Sequence, residues 1–194
     1  MRYNIAILAS GSGTNTQNIA EYFDKNPNIS VKLIVSNRSN AFVLERAKQL
    51  NIDSIVINKK DWEDENLVKK IFAQYEIDFI ILAGYLLKIP AYLINIYPNR
   101  IINIHPALLP KFGGKGMYGD NVHQAVVEAK ETESGITIHY CNEYYDKGDI
   151  IFQAKCEVNP TDDYEAVATK VHALEYEHFP KVIEKLLLQL DRIG

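Results

Sequence analysis

The sequence is poor in cysteine: Cys141 and Cys156 are the only two in 194 residues. Their spacing fits neither a CxxC pair nor a zinc site, and they make no disulfide framework. Both read as reduced core thiols of a cytoplasmic protein. Long apolar runs are missing too, since no segment approaches the ~18 uninterrupted apolar residues of a membrane span. The apolar stretch from Ile5 to Ala9 is too short for the core of a signal peptide and leads into a glycine loop, not a cleavage site. Positive charge is not in excess: 21 Lys and Arg stand against 25 Asp and Glu, a net charge of −4. A broad nucleic-acid-binding surface is therefore not expected, although a local basic patch fits that balance. His123, His139, His172 and His178 show no HExxH or paired-carboxylate pattern, so no metal site is expected. His172 and His178 read as partly exposed surface residues. Internal repeats, low-complexity tracts and linkers are absent as well.

What is present is an ordinary globular mixture, 47% hydrophobic and 24% charged, of a length that suits one domain. Short apolar runs alternate with helical patterns, the signature of a parallel α/β sheet. Strands are expected at Tyr3–Ala9, Val31–Val35, Ser54–Ile57, Asp78–Ala83 and Ile101–His105. Helices are expected at Thr16–Asp24, Ala41–Leu50, about Glu63 to Tyr75 and Pro90–Ile96. Pro106–Asp120 contains two prolines and four glycines and reads as a long functional loop. A helix at Val122–Ala129 follows. Gly135–Cys141 and Ile150–Val158 then read as two antiparallel strands, joined by the turn YYDKGD. Asp163–Leu190 is helical, with a break expected at Pro180. The expected fold is a single domain over 1–194: a Rossmann-like, mostly parallel seven-stranded sheet with helices on both faces. Its nucleotide-binding half spans about 1–100 and its catalytic half about 101–194.

The segment Gly11-Ser12-Gly13-Thr14-Asn15 lies between the first strand and the first helix, where open α/β sheets bind ligands. Glycine permits close backbone approach there, Thr14 or Asn15 can cap the helix, and free N–H groups at its start favour a phosphate. No GKS or GKT follows, a third glycine is missing, and Val35-Ser36-Asn37 brings no acidic residue to the end of the second strand. A Walker loop is excluded and a dinucleotide site disfavoured. A mononucleotide or sugar-phosphate site remains, beside a plain strand–helix turn.

Asn103 and His105 sit two residues apart on the strand IINIH, so both point to one face. Polar groups at the end of an otherwise apolar strand are costly to bury without a partner or a task. Asp146, in the turn Tyr145-Asp146-Lys147-Gly148-Asp149, is placed to pair with the imidazole and favour its protonated form. Asp149 competes for that role on spacing alone, and a plain turn is the alternative for both. Amide, imidazole and carboxylate together suit acyl transfer, with Asn and His stabilising an oxyanion and Asp tuning His. No nucleophile elbow is present, so direct transfer to a bound acceptor is preferred over a covalent acyl-enzyme.

These residues carry a resemblance. SGSGTN, LAGYLLKIP, NIHPALLP and the run Asp146-Lys147-Gly148-Asp149-Ile150-Ile151 resemble the folate-dependent formyltransferases over essentially the whole chain. SGSGTN resembles the branch that formylates glycinamide ribonucleotide in de novo purine synthesis. The resemblance implies 10-formyltetrahydrofolate as co-substrate, no metal, small-molecule partners with no nucleic acid or membrane, and a monomer or homodimer. It implies catalytic roles for Asn103, His105 and Asp146, choosing Asp146 over Asp149. It implies phosphate binding at the loop Gly11, Ser12, Gly13, Thr14 and Asn15. Folate contacts are implied at Leu86, Leu87, Lys88, Ile89 and Asn103, and across Asn142, Glu143, Tyr144, Tyr145 and Asp146. A substrate contact is implied at Glu175, with Glu177 its neighbour and competitor.

Two features depart from the family pattern. After NIHPALLPKF the chain reads GGKGMYGDNVH, a longer loop than many members have, with His123 in place of a family histidine. Around Lys60-Asp61-Trp62-Glu63 no arginine stands where some members contact the folate. The rivals are formyl transfer to methionyl-tRNA, hydrolysis of the formyl folate, and a non-catalytic nucleotide-binding module. The first two enzymes usually carry a further domain, for which a chain of this length is expected to leave no room.

Overall fold

The computed structural model describes residues 2–190; the remaining ends of the expected domain, residue 1 and residues 191–194, lie outside the described residues. The elements run β1 (Tyr3–Leu8), α1 (Thr14–Phe23), β2 (Ile29–Ser36), α2 (Val43–Gln49), β3 (Asp53–Val56), α3 (Glu65–Gln74), β4 (Phe79–Leu82), α4 (Ala91–Ile96) and β5 (Ile101–His105). Then come α5 (Asp120–Glu128), β6 (Glu133–Tyr140), β7 (Ile150–Glu157) and α6 (Tyr164–Leu190). The seven strands form one sheet in the order β3-β2-β1-β4-β5-β6-β7. The pairs from β3 to β5 are parallel, and β6 and β7 add antiparallel to that edge.

The central strands are apolar on both faces because helices cover both. Ile5 and Ile7 of β1, with Phe79 and Ile81 of β4, enter one core with Ile19 and Phe23 of α1 and Val171, Phe179 and Ile183 of α6. Their alternates Ala6, Leu8, Ile80 and Leu82 enter the other core, with Val68 and Phe72 of α3 and Leu93 of α4. Strand side chains alternate with period two, so each strand feeds both layers.

This order sets the place of the site. From β1 the chain steps outward through β2 to β3, then returns to the other side of β1 as β4. The connections after β1 and β4 diverge, opening a crevice at their carboxyl ends. Ser10 fastens it: its N–H donates to Gly84 C=O at 3.0 Å, its hydroxyl donates to Asn37 Oδ1 at 2.6 Å, and it accepts the Leu86 N–H at 2.9 Å.

Three expectations are corrected. The break at Pro180 does not occur, and α6 runs through it. Proline has no N–H for the carbonyl four residues earlier; here that carbonyl, of Tyr176, accepts instead from Asn18 Nδ2 of α1 at 3.0 Å. The third helix starts at Glu65, not Glu63, because Asp64 caps it by accepting the Leu67 N–H at 3.0 Å. Asp61–Glu63 forms a separate 3-10 turn that buries Trp62. Neither cysteine is a full core residue: both are free and half-buried.

Candidate active site

The crevice encloses a cavity of about 680 Å³, within the usual range for small-molecule sites. One end is the glycine loop after β1. The segment after β4 forms an apolar wall, and β5, β6 and the turn before β7 form a polar one.

At the loop end, α1 starts directly after Gly13, whose φ of 72° is left-handed and which caps without any side-chain hydrogen bond. The expected cap by Thr14 or Asn15 is therefore absent: Asn15 Nδ2 donates to Glu175 Oε2 at 2.9 Å instead. The first turn of α1 holds no acidic residue, so its N–H groups and helix dipole are set to receive an anion. A Cβ at Gly13 would collide with Val43, and a left-handed φ disfavours any side chain.

At the other end, Asn103 and His105 border the cavity from β5, and Asp146 reaches them from the turn before β7. His105 is buried. Its Nε2 lies 2.8 Å from the Phe112 carbonyl. A carbonyl only accepts, so Nε2 carries hydrogen and Nδ1 faces Asp146 Oδ2 at 3.7 Å. Burial pushes the His105 pKa below its ordinary value, and the Asp146 carboxylate pulls it back up only in part. The Asp146 carboxylate thus acts on the imidazole in the expected direction, favouring its protonated form from 3.7 Å, while burial opposes it more strongly. Burial also pushes the Asp146 carboxyl up. His139, His105 and the Gly114 N–H nevertheless hold it below the usual carboxylate range. The Gly114 N–H donates to Oδ2 at 2.8 Å.

His139 is the residue that sequence reasoning passed over. It pairs with Asn103 across β5 and β6, a relation visible only once the antiparallel register is set. Asn103 Nδ2 lies 3.1 Å from His139 Nε2 and 3.5 Å from Asp146 Oδ1. Ser10 and Asn37 were also missed as the tie between three loops, as were the burial of His123 and the contact from His172 to Glu175.

Of the residues expected at the site, all but Glu143 border the cavity. Glu143 is exposed. Asn142 closes the turn by accepting the Tyr144 N–H at 2.8 Å and donating to the Lys147 carbonyl at 3.0 Å, which leaves Glu143 on its solvent side. The two competitors also fall outside the cavity lining: Asp149 is exposed, and Glu177 points to Lys181. Cys141 borders the cavity, but burial pushes its thiol well up, which makes it a poor nucleophile. Among the described residues no group of three or more His, Cys, Asp or Glu side chains could hold a metal, and no helix is long and apolar enough to cross a membrane.

A family model described as formyl transferase matches residues 3–183. A chloroplastic phosphoribosylglycinamide formyltransferase of Arabidopsis thaliana is 39% identical over 188 residues, covering 94% of this chain and 64% of that protein. The chain thus spans less than two thirds of that relative. A phosphoribosylglycinamide formyltransferase of Haemophilus influenzae is 35% identical, covering 93% of this chain and 85% of that protein. Among solved structures, glycinamide ribonucleotide transformylase 1 from Geobacillus kaustophilus superposes with a TM-score of 0.87 at 34% identity, covering 96% of this chain and 100% of that one.

Proposed function

The chain belongs to the formyl transferase family, and from that premise we propose that it transfers a formyl group from 10-formyltetrahydrofolate to the amine of N1-(5-phosphoribosyl)glycinamide, a step of de novo purine synthesis in the cytoplasm. The observation that carries this reading is the single cavity with an anion-receptive helix start at one end and Asn103, His105 and Asp146 at the other. A phosphorylated acceptor with a reactive amine spans those two ends.

The chemistry then follows from the side chains. The neutral amine attacks the formyl carbon, and charge develops on the formyl oxygen. Asn103 supplies an N–H to that oxygen: its 3.5 Å approach to Asp146 is at the limit of a hydrogen bond and leaves this donor free to turn. The developing negative charge adds to that of Asp146 in favouring the imidazolium of His105, so charge on His105 rises as the reaction proceeds. The proton that the amine loses passes, by way of water beside Asp146, to the folate nitrogen, whose bond to the formyl carbon breaks as the tetrahedral intermediate collapses; Asp146 is ionised before and after. No covalent enzyme intermediate is formed.

The cavity residues fit the folate as well. Leu86, Leu87 and Ile89 offer an apolar wall whose backbone supplies donors and acceptors for a flat heterocycle, with Lys88 beside them and Asn142, Tyr144 and Tyr145 across the opening. The folate supplies the activated formyl group, and the protein binds, orients and neutralises charge. The test offers purified protein 10-formyltetrahydrofolate with the ribonucleotide, tRNA and water as competing acceptors. Formylation of the ribonucleotide is expected. Formylation of tRNA alone, or hydrolysis alone, overturns the reading.

A further inference from the structure

Two buried polar atoms in the cavity wall have no partner among the described residues: Asn15 Oδ1 and His123 Nδ1. His123 is 1% exposed, yet its ring borders the cavity from α5. A buried, unpaired imidazole nitrogen is destabilising unless something completes it. The mechanism above uses neither His123 nor the imidazole beside it, His172.

These groups form one cluster around Glu175, which is itself buried. Glu175 Oε2 accepts from Asn15 Nδ2 at 2.9 Å and lies 2.9 Å from His172 Nδ1. The His123 and His172 rings meet edge to face, 6.1 Å between centroids. His172 is half-exposed and stacks on Tyr176 at 6.3 Å. Asn15 Oδ1 can only accept, Glu175 as a carboxylate can only accept, and His123 Nδ1 accepts when the neutral ring carries its hydrogen on Nε2. A ligand that completes all three has several hydroxyl groups.

Resting on the functional reading above, we propose that His123 is an acceptor-binding residue, hydrogen-bonding a ribose hydroxyl of the ribonucleotide through Nδ1, and that His172 is the positioning residue that holds Glu175 toward the same sugar. The charges facing the pair support it. His123 faces His172 and Glu175 from α6, Asp120 from its own helix and His105 from β5; burial first, then His172, pushes its pKa down. His172 faces Glu175 on its own helix and Asp120 and His123 from α5; the hydrogen bond to Glu175 raises its pKa. The competent form has His123 neutral and His172 charged. Acceptor affinity is therefore greatest near neutral pH, falls in acid as His123 gains a proton, and falls in alkali as His172 loses one.

The experiment measures binding of the ribonucleotide and of 10-formyltetrahydrofolate by calorimetry as a function of pH. His123→Phe is expected to weaken ribonucleotide binding about ten-fold or more, the loss of one hydrogen bond to a buried group. Folate affinity should stay within about two-fold by the same scale. His123→Asn places a polar atom near the position of Nδ1 and restores most of the affinity. His172→Leu weakens ribonucleotide binding and removes its alkaline decline. Wild-type affinity in His123→Phe, or equal loss for both ligands, overturns the inference. Where His123→Phe does not fold, His172→Leu decides: unchanged affinity and an unchanged pH profile overturn it. Failure of the wild type to bind the ribonucleotide overturns the functional reading, and this inference with it.

Discussion

Asn103 and His139 are joined side chain to side chain, Nδ2 to Nε2 at 3.1 Å. The direction follows from the other side of the ring. His139 Nδ1 lies 2.8 Å from the Tyr140 carbonyl, which only accepts, so Nδ1 carries the hydrogen and, in the neutral ring, Nε2 receives the amide N–H. His139 therefore fixes which way the Asn103 amide faces. With the amide reversed, its oxygen would meet Asp146 Oδ1. His139→Phe is expected to lower kcat by about 10²-fold, the scale of losing one oxyanion donor, while the KM for the ribonucleotide moves little. Steady-state kinetics check this; a KM effect without a kcat effect counts against it.

Asp146→Asn separates charge from shape. The amide oxygen can still accept the Gly114 N–H, which now meets Oδ2 at 2.8 Å, so the turn keeps its form. The negative charge that opposes desolvation of His105 is gone. Turnover is expected to fall by about 10²–10³-fold, with ribonucleotide affinity within about three-fold of wild type. Near-wild-type turnover would sink the assignment of Asp146.

The pH dependence of stability has a definite sign. His105 and His123 have folded pKa values lowered chiefly by burial, against about 6.5 unfolded. Below pH ~6.5 the unfolded chain binds the more protons, so stability present above that pH is lost as pH falls toward the folded values. His172, raised by Glu175, acts oppositely, and its contribution is lost as pH rises through its folded value. The melting temperature is expected to fall from pH 7.5 to 5.5, and His105→Gln to fall less over that interval. An equal or larger decline in the variant counts against burial as the cause.

The parallel half of the fold was legible because β4 is a continuous apolar run and β1 and β5 are largely apolar, each closed by turn residues, a pattern that suits a doubly covered sheet. Asn103 and His105 were legible because polar residues interrupt such a run. The carboxylate was not settled by spacing: Asp146 and Asp149 are equivalent in sequence, and only the path of the turn brings one to Asp-imidazole distance. His139 escaped because an antiparallel register links residues 36 apart, and no local pattern encodes that. Pro180 misled because its local rule is sound but a side chain from another helix met the exception.

Gly13→Ala tests the anion end. The new Cβ meets Val43 and must hold a φ of 72°, so the loop shifts or the helix start frays. Ribonucleotide binding is expected to weaken about ten-fold or more, by loss of hydrogen bonds to the phosphate, while folate binding is retained. Val43→Gly added to it removes the side-chain collision but not the backbone strain, and restores binding only in part. Full recovery would mean that space alone, and not the left-handed turn, requires glycine.

The passage of α6 through Pro180 makes a coupling prediction. Asn18 Nδ2 supplies the Tyr176 carbonyl with the bond that proline withholds. Asn18→Ala removes it and is expected to cost about 0.5–1.5 kcal/mol, the usual net worth of a hydrogen bond; the bond is exposed, which places it toward the lower end. Pro180→Ala restores a backbone N–H at residue 180, and the carbonyl then has a partner within its own helix. In that background Asn18→Ala should cost less than in the wild type, whatever Pro180→Ala itself does to packing, because the double-mutant cycle subtracts that effect. Chemical denaturation of the four proteins reads the coupling directly. Strict additivity would show that water serves the Tyr176 carbonyl as well as Asn18 does, and that the helix tolerates its proline for some other reason.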